Sequence, residues 1–449
     1  MKCLLPALPV VAAACGAQKA KDEIYRPSAH CVTVPCGEGR LLYHTLTREL
    51  LLVSESEWAQ PPTELILRRF LVPEGFDDAA YALQIRHVLT LMQPKKGSFN
   101  RFLIFTTLDC NARCAYCYER GCRHISMDPQ TARAAAAFIA EHAKGEKIKL
   151  RWFGGEPLLN RKAIDLITKE LRGSGIEYST DMISNGYLFD SETVQTARDL
   201  WKLQKVQITL DGTEEVYNRT KAYTGAVNNP YERVMRNIAL LLYGGVSVQI
   251  RMNMNAENAG NLLTLAEELD HRFPDKKNLS VYPALLQSYG AAPEPFRSQQ
   301  EKAICFDRLQ DKLRTLGLSR PVPLPRRPSL NYCMADDDSA VTILPDGKLG
   351  KCEHDIGGGF VGDLERGIQD SERCAYWKER FDLPDCKACP LLPCCEKPRH
   401  CPGLHETCTE LDRRLKLKSL RESILAEYEK EYNHSEACAD RKNADAEPC

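Results

Sequence analysis

Between residues 102 and 286 the chain repeats one alternation, a short apolar run followed by a longer segment with apolar residues every three or four positions. The runs are FLIFTTLD (102–109), KLRWFG (149–154), STDMISNG (179–186), KVQITLDG (205–212), VSVQIRMN (246–253) and LSVYPALL (279–286). Their length and their β-branched and aromatic content predict strands. TARAAAAFIAEHAK, TVQTARDLWKL and YERVMRNIALLLYGG lie between them with a helical period. The first of these follows Asp128 as a cap and Pro129 at the first helical position. Strands separated by helices pair in parallel through right-handed crossovers. The expected fold is therefore α/β, a partial (β/α)6 barrel of the TIM type, open on one side. Chemistry in such a barrel sits at the C-terminal strand ends. The loop after Asp109, Gly154–Gly155, Asn185–Gly186 and Asp211–Gly212 all fall there.

The flanks differ in pattern. CVTVPCGEGRLLYHTLTRELLLVS (31–54) alternates around Gly37 and Gly39 as a hairpin does, and FDDAAYALQIRHVLTLM is helical in period. A small α+β unit is expected over 1–97, with a hinge at PKKGS, and the barrel over 98–298. A helix and the stiff PVPLPRRPS form a linker over 299–330. A Cys-rich unit takes 331–410, and a charged helix with a disordered acidic tail after Asn433 takes 411–449. The opening MKCLLPALPVVAAACGAQ faintly suggests a lipoprotein signal ending at Cys15, but two prolines interrupt its apolar run. A poorly ordered tail is the expectation there. No stretch reaches the ~18 apolar residues of a membrane span.

Composition narrows the function classes. A net charge of −1 over 449 residues offers no field for nucleic acid or an anionic membrane. Twenty cysteines are many, yet the chain is too long to need disulfide staples. Most fall near residue 114 or between 333 and 408, with gaps of two and three residues. Such clustering points to metal or iron–sulfur ligation in a reducing, cytoplasmic compartment.

Cys110, Cys114 and Cys117 directly follow the first strand, spaced C-x3-C-x2-C, with Tyr116 before the last. Zinc would recruit a fourth ligand, for which Cys122 and His124 are at hand. A [4Fe–4S] cluster with three protein ligands instead leaves one iron for a small molecule. The spacing resembles the signature of the radical S-adenosylmethionine (SAM) enzymes. That resemblance implies that SAM chelates the fourth iron. One electron then breaks its sulfonium C–S bond, and a 5′-deoxyadenosyl radical abstracts hydrogen from substrate. A low-potential donor such as flavodoxin or ferredoxin would supply the electron.

Further motifs match the family. RWFGGEP resembles its GGEP segment, so Gly154, Gly155, Glu156 and Pro157 are expected at SAM, with backbone carbonyls receiving the ammonium. ISNGYL resembles the segment contacting ribose and carboxylate, through Ser184 and Asn185. Lys221 aligns best with an Arg that relatives place on the SAM carboxylate, with Arg219 two residues earlier; a lysine lacks the bidentate fork. Arg251 matches a polar position on the fifth strand near SAM. Each motif also has a plainer reading, as a tight turn or a barrel-rim ion pair.

The second cysteine group resembles the SPASM extension, which holds two auxiliary [4Fe–4S] clusters. PDGKLGKC (345–352) is expected to be a hairpin delivering Cys352, with its turn at Asp346–Gly347. By resemblance, the first auxiliary cluster takes Cys333, Cys352 and Cys401, and its fourth ligand is Cys374 or an open position. The second takes Cys386, Cys389, Cys395 and Cys408, although Cys394 can replace Cys395. The gap from Cys395 to Cys401 is longer than the family's usual one. A zinc-ribbon interaction protein that does no chemistry is the competing class. Glu353 occupies the place where sulfatase-maturing relatives have a general base; a surface glutamate is the plainer reading.

The N-terminal unit looks like the region preceding the barrel in maturases of ribosomally made peptides. The implied substrate is a precursor peptide, bound by strand addition to a sheet edge. The implied chemistry is oxidative crosslinking, through a thioether or another side-chain bond. A sulfatase-maturase-like enzyme making formylglycine is the alternative.

Overall fold

The structure is a computed structural model describing residues 1–6, 24–91, 99–143, 147–225, 228–286, 296–325, 331, 333–379, 386, 389–392, 395, 399–401 and 408–444, with side chains to 431. The hinge at 94–98, the linker residues 326–330, Cys15 and Cys394 lie outside the described residues.

Near the N-terminus, strands β1 (Lys2–Leu5), β2 (Tyr25–Pro27), β3 (Cys31–Cys36), β4 (Gly39–His44), β5 (Leu50–Val53) and β6 (Leu71–Pro73) form two small sheets. One is antiparallel in the order β1-β5-β4-β3, and the other pairs β2 with β6. The expected hairpin is β3–β4, with Gly39 at φ 141° against the Val53 carbonyl, where a side chain has no room. β1 is a correction: residues Lys2–Leu5 belong to the sheet rather than to a loose tail, because their backbone completes the ladder of β5.

β7 (Arg101–Thr107), β8 (Ile148–Gly154), β9 (Tyr178–Ser184), β10 (Leu203–Thr209), β11 (Ser247–Met254) and β12 (Leu279–Leu285) are the barrel strands. They pair in parallel in sequence order, with a helix in each of the five crossovers from β7 to β12. β7 is buried along almost its whole length, as a strand covered on both faces must be. Trp152, Val206, Ile208, Val248 and Ile250 pack with apolar residues of the surrounding helices in one core.

A hairpin of β13 (Ala340–Ile343) and β14 (Lys348–Gly350) turns at Asp346–Gly347, where Gly347 takes φ 80°. β13 lies parallel to β7, from Ala340 opposite Arg101 to Ile343 opposite Ile104. With β15 (Gly362–Asp363) and β16 (Gly367–Ile368) the hairpin extends the barrel to a ten-stranded sheet. The Cys-rich segment is thereby attached to the strand that carries the first cysteine loop.

The last helix runs Glu410–Ala444, well past Asn433, where a disordered tail was expected. The stretch has no Gly or Pro before Pro448, so nothing in it breaks the helix. Ile424, Leu420, Leu425 and Tyr428 of this helix join the cluster of Val32, Val34, Leu41 and Tyr43. The chain's last long helix thus covers its N-terminal sheet.

Candidate functional site

Beyond Thr107 the chain leaves the barrel and forms the first cysteine loop, which neighbouring strand ends clamp from several sides. The Glu156 N–H donates to the Asp109 carbonyl at 2.8 Å, and Asn185 Nδ2 donates to Asn111 Oδ1 at 2.7 Å. The Arg113 N–H donates to the Lys221 carbonyl at 2.9 Å, and the Thr224 N–H to the Asn111 carbonyl at 2.9 Å. Burial, and to a lesser extent Glu156 and the neighbouring thiols, push Cys110 up to about 12. Burial likewise pushes Cys117 up to about 11. All three cysteines are free of disulfides. A bound cation would reverse that preference, since a coordinated thiol loses its proton. Three soft donors on one braced loop fit an iron–sulfur cluster.

Gly154 and Gly155 sit where the backbone of β8 crosses the start of this loop. A Cβ on Gly154 would meet the Thr107 carbonyl oxygen at 2.1 Å, and one on Gly155 the Asp109 carbonyl oxygen at 2.3 Å. Both glycines line the cavity described below. Their missing side chains are required first by the chain itself. Glu156 turns inward and is fully buried. Its carboxylate accepts from Ser184 Oγ at 2.9 and 3.1 Å, the Asn185 N–H at 2.8 Å and the Leu158 N–H at 3.2 Å. Burial raises its pKa to about 7 against these donors. The Pro157 carbonyl accepts the Thr106 hydroxyl. Neither Glu156 nor Pro157 reaches the cavity; together they lock β7, β8 and β9 beneath it.

Lys221 is also already engaged. Its ammonium lies 3.0 Å from Asp211, with side-chain exposures of 4% and 1%, and donates to the Tyr116 hydroxyl at 2.9 Å. Tyr116 in turn donates to Asp211 at 2.8 Å. Burial opposes the lysine's charge, but Asp211, Tyr116 and Cys114 outweigh it and hold its pKa above the usual range. The ammonium therefore stays charged at the cavity wall.

These groups surround a cavity of about 380 Å³, within the range of small-molecule sites. The thiols, Ser184, Asn185, Lys221 and Arg251 line it, the last bonded to Asn253 at 2.9 Å. The opposite wall is Glu353–His354, directly after buried Cys352. Tyr118 of the first loop donates to the Glu353 carbonyl at 3.2 Å, and its ring meets His354 at 4.5 Å. The two cysteine segments thus touch across one space.

Comparison with known proteins finds a likeness over the strands that carry this arrangement. Residues 104–269 match the Radical SAM superfamily. Over that stretch the chain is similar to radical SAM domains. Members carry a [4Fe–4S] cluster and SAM. An uncharacterised protein of Methanocaldococcus jannaschii is 29% identical over 25% of this chain and 38% of its own length, so the chain spans well under two thirds of it. The GTP 3',8-cyclase of Desulforamulus reducens is 26% identical over 64% of this chain and 84% of that enzyme. Among solved structures, anSMEcpe with bound AdoMet and Cp18Cys peptide matches with a TM-score of 0.55 and 14% identity, over 75% of this chain and 99% of that one. Streptococcus suis SuiB bound to precursor peptide SuiA matches with a TM-score of 0.51 and 13% identity, over 83% and 95%. These structural likenesses establish the fold, a partial barrel with its Cys-rich C-terminal segment.

In the C-terminal segment most of the described cysteines fall into two neighbourhoods. Cys333, Cys352 and Cys401 lie close enough for each thiol to disfavour ionisation of another, and burial pushes Cys352 up to about 12. Cys389, Cys395 and Cys408 form the second neighbourhood. Cys386 precedes Cys389 in one turn, the Cys389 N–H donating to the Cys386 carbonyl at 2.9 Å. Cys374 packs instead beside the barrel core, among Lys351, Lys378 and Asp338. Among the described residues no three His, Cys, Asp or Glu side chains converge on a single-ion site.

Glu119 was not singled out from the sequence. It lines the cavity with one carboxylate oxygen buried and without a hydrogen-bond partner, and burial raises its pKa to about 7. Asp211, taken as a strand end, is the partner that fixes Lys221. The acid in ITLDG gave a signal for Asp211; Glu119 gave none beyond its nearness to Cys117.

Proposed function

We propose that this enzyme modifies a ribosomally made precursor peptide by oxidative crosslinking, a thioether or other side-chain bond, in the cytoplasm. Cys110, Cys114 and Cys117 would hold the SAM cluster. Cys333, Cys352 and Cys401 would hold a first auxiliary [4Fe–4S] cluster in a SPASM-type unit, and Cys386, Cys389, Cys395 and Cys408 a second. The observation that carries this reading is the shared cavity, with the Cys110–Cys117 loop on one wall and the residues after Cys352 on the other.

A cluster held by Cys110, Cys114 and Cys117 would supply one-electron reductive cleavage of SAM, and with it hydrogen abstraction from substrate. The protein's own groups divide the remaining work. Arg251 and Lys221 present positive charge to a carboxylate in the cavity, Lys221 as a point charge held in place by Asp211. Asn185 and Ser184 offer polar contacts at the end of β9. Glu353, one third exposed and 3.8 Å from His354, would take the proton of a substrate thiol or hydroxyl. Tyr118 and His354 close the cavity toward the auxiliary side. A flavodoxin or ferredoxin would deliver electrons.

A peptide substrate is supported by the N-terminal unit of small antiparallel sheets, whose edge backbone can pair with an extended chain. The solved structures of anSMEcpe and SuiB with peptides bound agree with it. The sulfatase-maturase-like reading shares this substrate class and differs in the product. A nucleotide substrate is the second reading, favoured by the match to a GTP 3',8-cyclase over 84% of that enzyme.

Anaerobically reconstituted protein should be brown, hold about twelve irons at four per cluster, and release 5′-deoxyadenosine from SAM under reduction. Cys114→Ala should lose about four irons and this release. Mass spectrometry after turnover with a peptide encoded beside the gene should show loss of two hydrogens. Turnover of GTP with the peptide unchanged would decide for the nucleotide.

A further inference from the structure

The helix Glu410–Ala444 begins two residues after Cys408 and brings two cations to the second cysteine neighbourhood. Its start is rigid: the Asp412 N–H donates to Thr409 Oγ1 at 3.1 Å, and the Thr409 N–H donates back to Asp412 at 3.0 Å. This reciprocal cap fixes Cys408 relative to the helix axis. Lys416 Nζ donates to Cys395 Sγ at 2.8 Å. Arg413 lies near enough to Cys389 to favour its thiolate. Positions three apart share a helix face, so both cations face the same thiols. The helix N-terminus adds partial positive charge on that side.

We propose that Lys416 is a positioning residue for the second auxiliary cluster, donating to the Cys395 ligand and, with Arg413, raising the cluster's reduction potential. The inference rests on the assignment of that cluster above. Reduction adds one negative charge to a thiolate-bound cluster. A cation within hydrogen-bond distance of a ligand sulfur stabilises the reduced form more than the oxidised one, and hydrogen bonds to sulfur and net charge are among the determinants of potential. A raised potential makes this cluster the better acceptor for electrons leaving a substrate. The contact agrees with Cys395 as a ligand, since the charged donor is aimed at its sulfur.

The test is a redox titration of the full-length reconstituted protein followed by electron paramagnetic resonance. Cys389→Ala identifies the second cluster by the step it removes. In Lys416→Gln that step should move to more negative potential with iron content unchanged, and Lys416→Arg should restore it. Arg413→Gln, more exposed, should move it less and in the same direction. Should Lys416→Gln hold less iron, the Arg413→Gln shift decides alone. A step that stays in place in Lys416→Gln and Arg413→Gln at full iron content overturns the role of Lys416 while leaving the cluster assignment intact. If Cys389→Ala removes neither iron nor a step, the cluster assignment itself falls, and this inference with it.

Discussion

The Ser184 hydroxyl donates to the Glu156 carboxylate at 2.9 Å, tying the end of β9 to the turn after β8 directly beneath the cavity. Both residues belong to motifs that suggested ligand contact, yet Glu156 spends its acceptors inside the fold. Ser184→Ala should destabilise the protein by about 1–3 kcal/mol, the range for a buried group losing its partner. Glu156→Ala should cost more, because the Asn185 and Leu158 amides lose their acceptor together with Ser184. Urea unfolding measures both; an unchanged midpoint for Ser184→Ala would show that this bond carries no stability.

Gly155→Ala is expected to push the first cysteine loop out of place. The added methyl would lie 2.3 Å from the Asp109 carbonyl oxygen, next to Cys110. Iron content should fall by about four per chain, and SAM cleavage should vanish with it. Gly173→Ala, at the end of a helix with open space around its Cβ, is the control and should keep both.

Lys221→Met leaves the buried Asp211 carboxylate with the neutral Tyr116 hydroxyl as its one side-chain donor among the described residues, and should destabilise the barrel by about 3–5 kcal/mol. Adding Asp211→Leu should recover much of that loss, since removing both charges removes the desolvation cost. A double-mutant cycle by chemical denaturation reads the coupling. Purely additive effects would mean that the pair is not coupled.

Acid should open the N-terminal unit first. His44 is buried there, Nδ1 accepting from the Thr47 N–H at 3.3 Å and the ring edge-on to Phe70 at 5.4 Å. Burial, with His30 nearby, lowers its pKa from 6.5 to about 3. The unfolded chain takes up a proton below about pH 6.5 that the folded chain refuses. The stability contribution is therefore complete above that pH and declines as pH falls toward 3, by ~1.4 kcal/mol per unit. Hydrogen exchange at pH 7 and pH 5 should show residues 24–91 losing protection before the barrel. His44→Phe should flatten the difference; an equal loss in both regions would point to another group.

Local signals were legible where chemistry and spacing coincide. Three cysteines on a four- and three-residue step, Gly-Gly at a strand end and Asp346–Gly347 at a turn need no distant partner to be recognised. Lys221 shows the limit. Its place in the chain suggested a ligand contact, and nothing local announced that Asp211 and the phenol of Tyr116 would meet it in a buried triad. Glu119 was passed over for the same reason, since its significance lies in where its carboxylate is buried.

The order of strands and helices, the barrel class and the reactive cysteine spacing were determined by the sequence alone, because periodicity and turn chemistry act over a few residues. Only the tertiary structure decided that β13 joins β7, that the final helix covers the first sheet and sets Lys416 on Cys395, and that the two cysteine segments share one cavity. Those contacts join segments far apart in the chain. Their partners are selected by burial and by the satisfaction of backbone and charged groups in three dimensions, which a linear pattern does not encode.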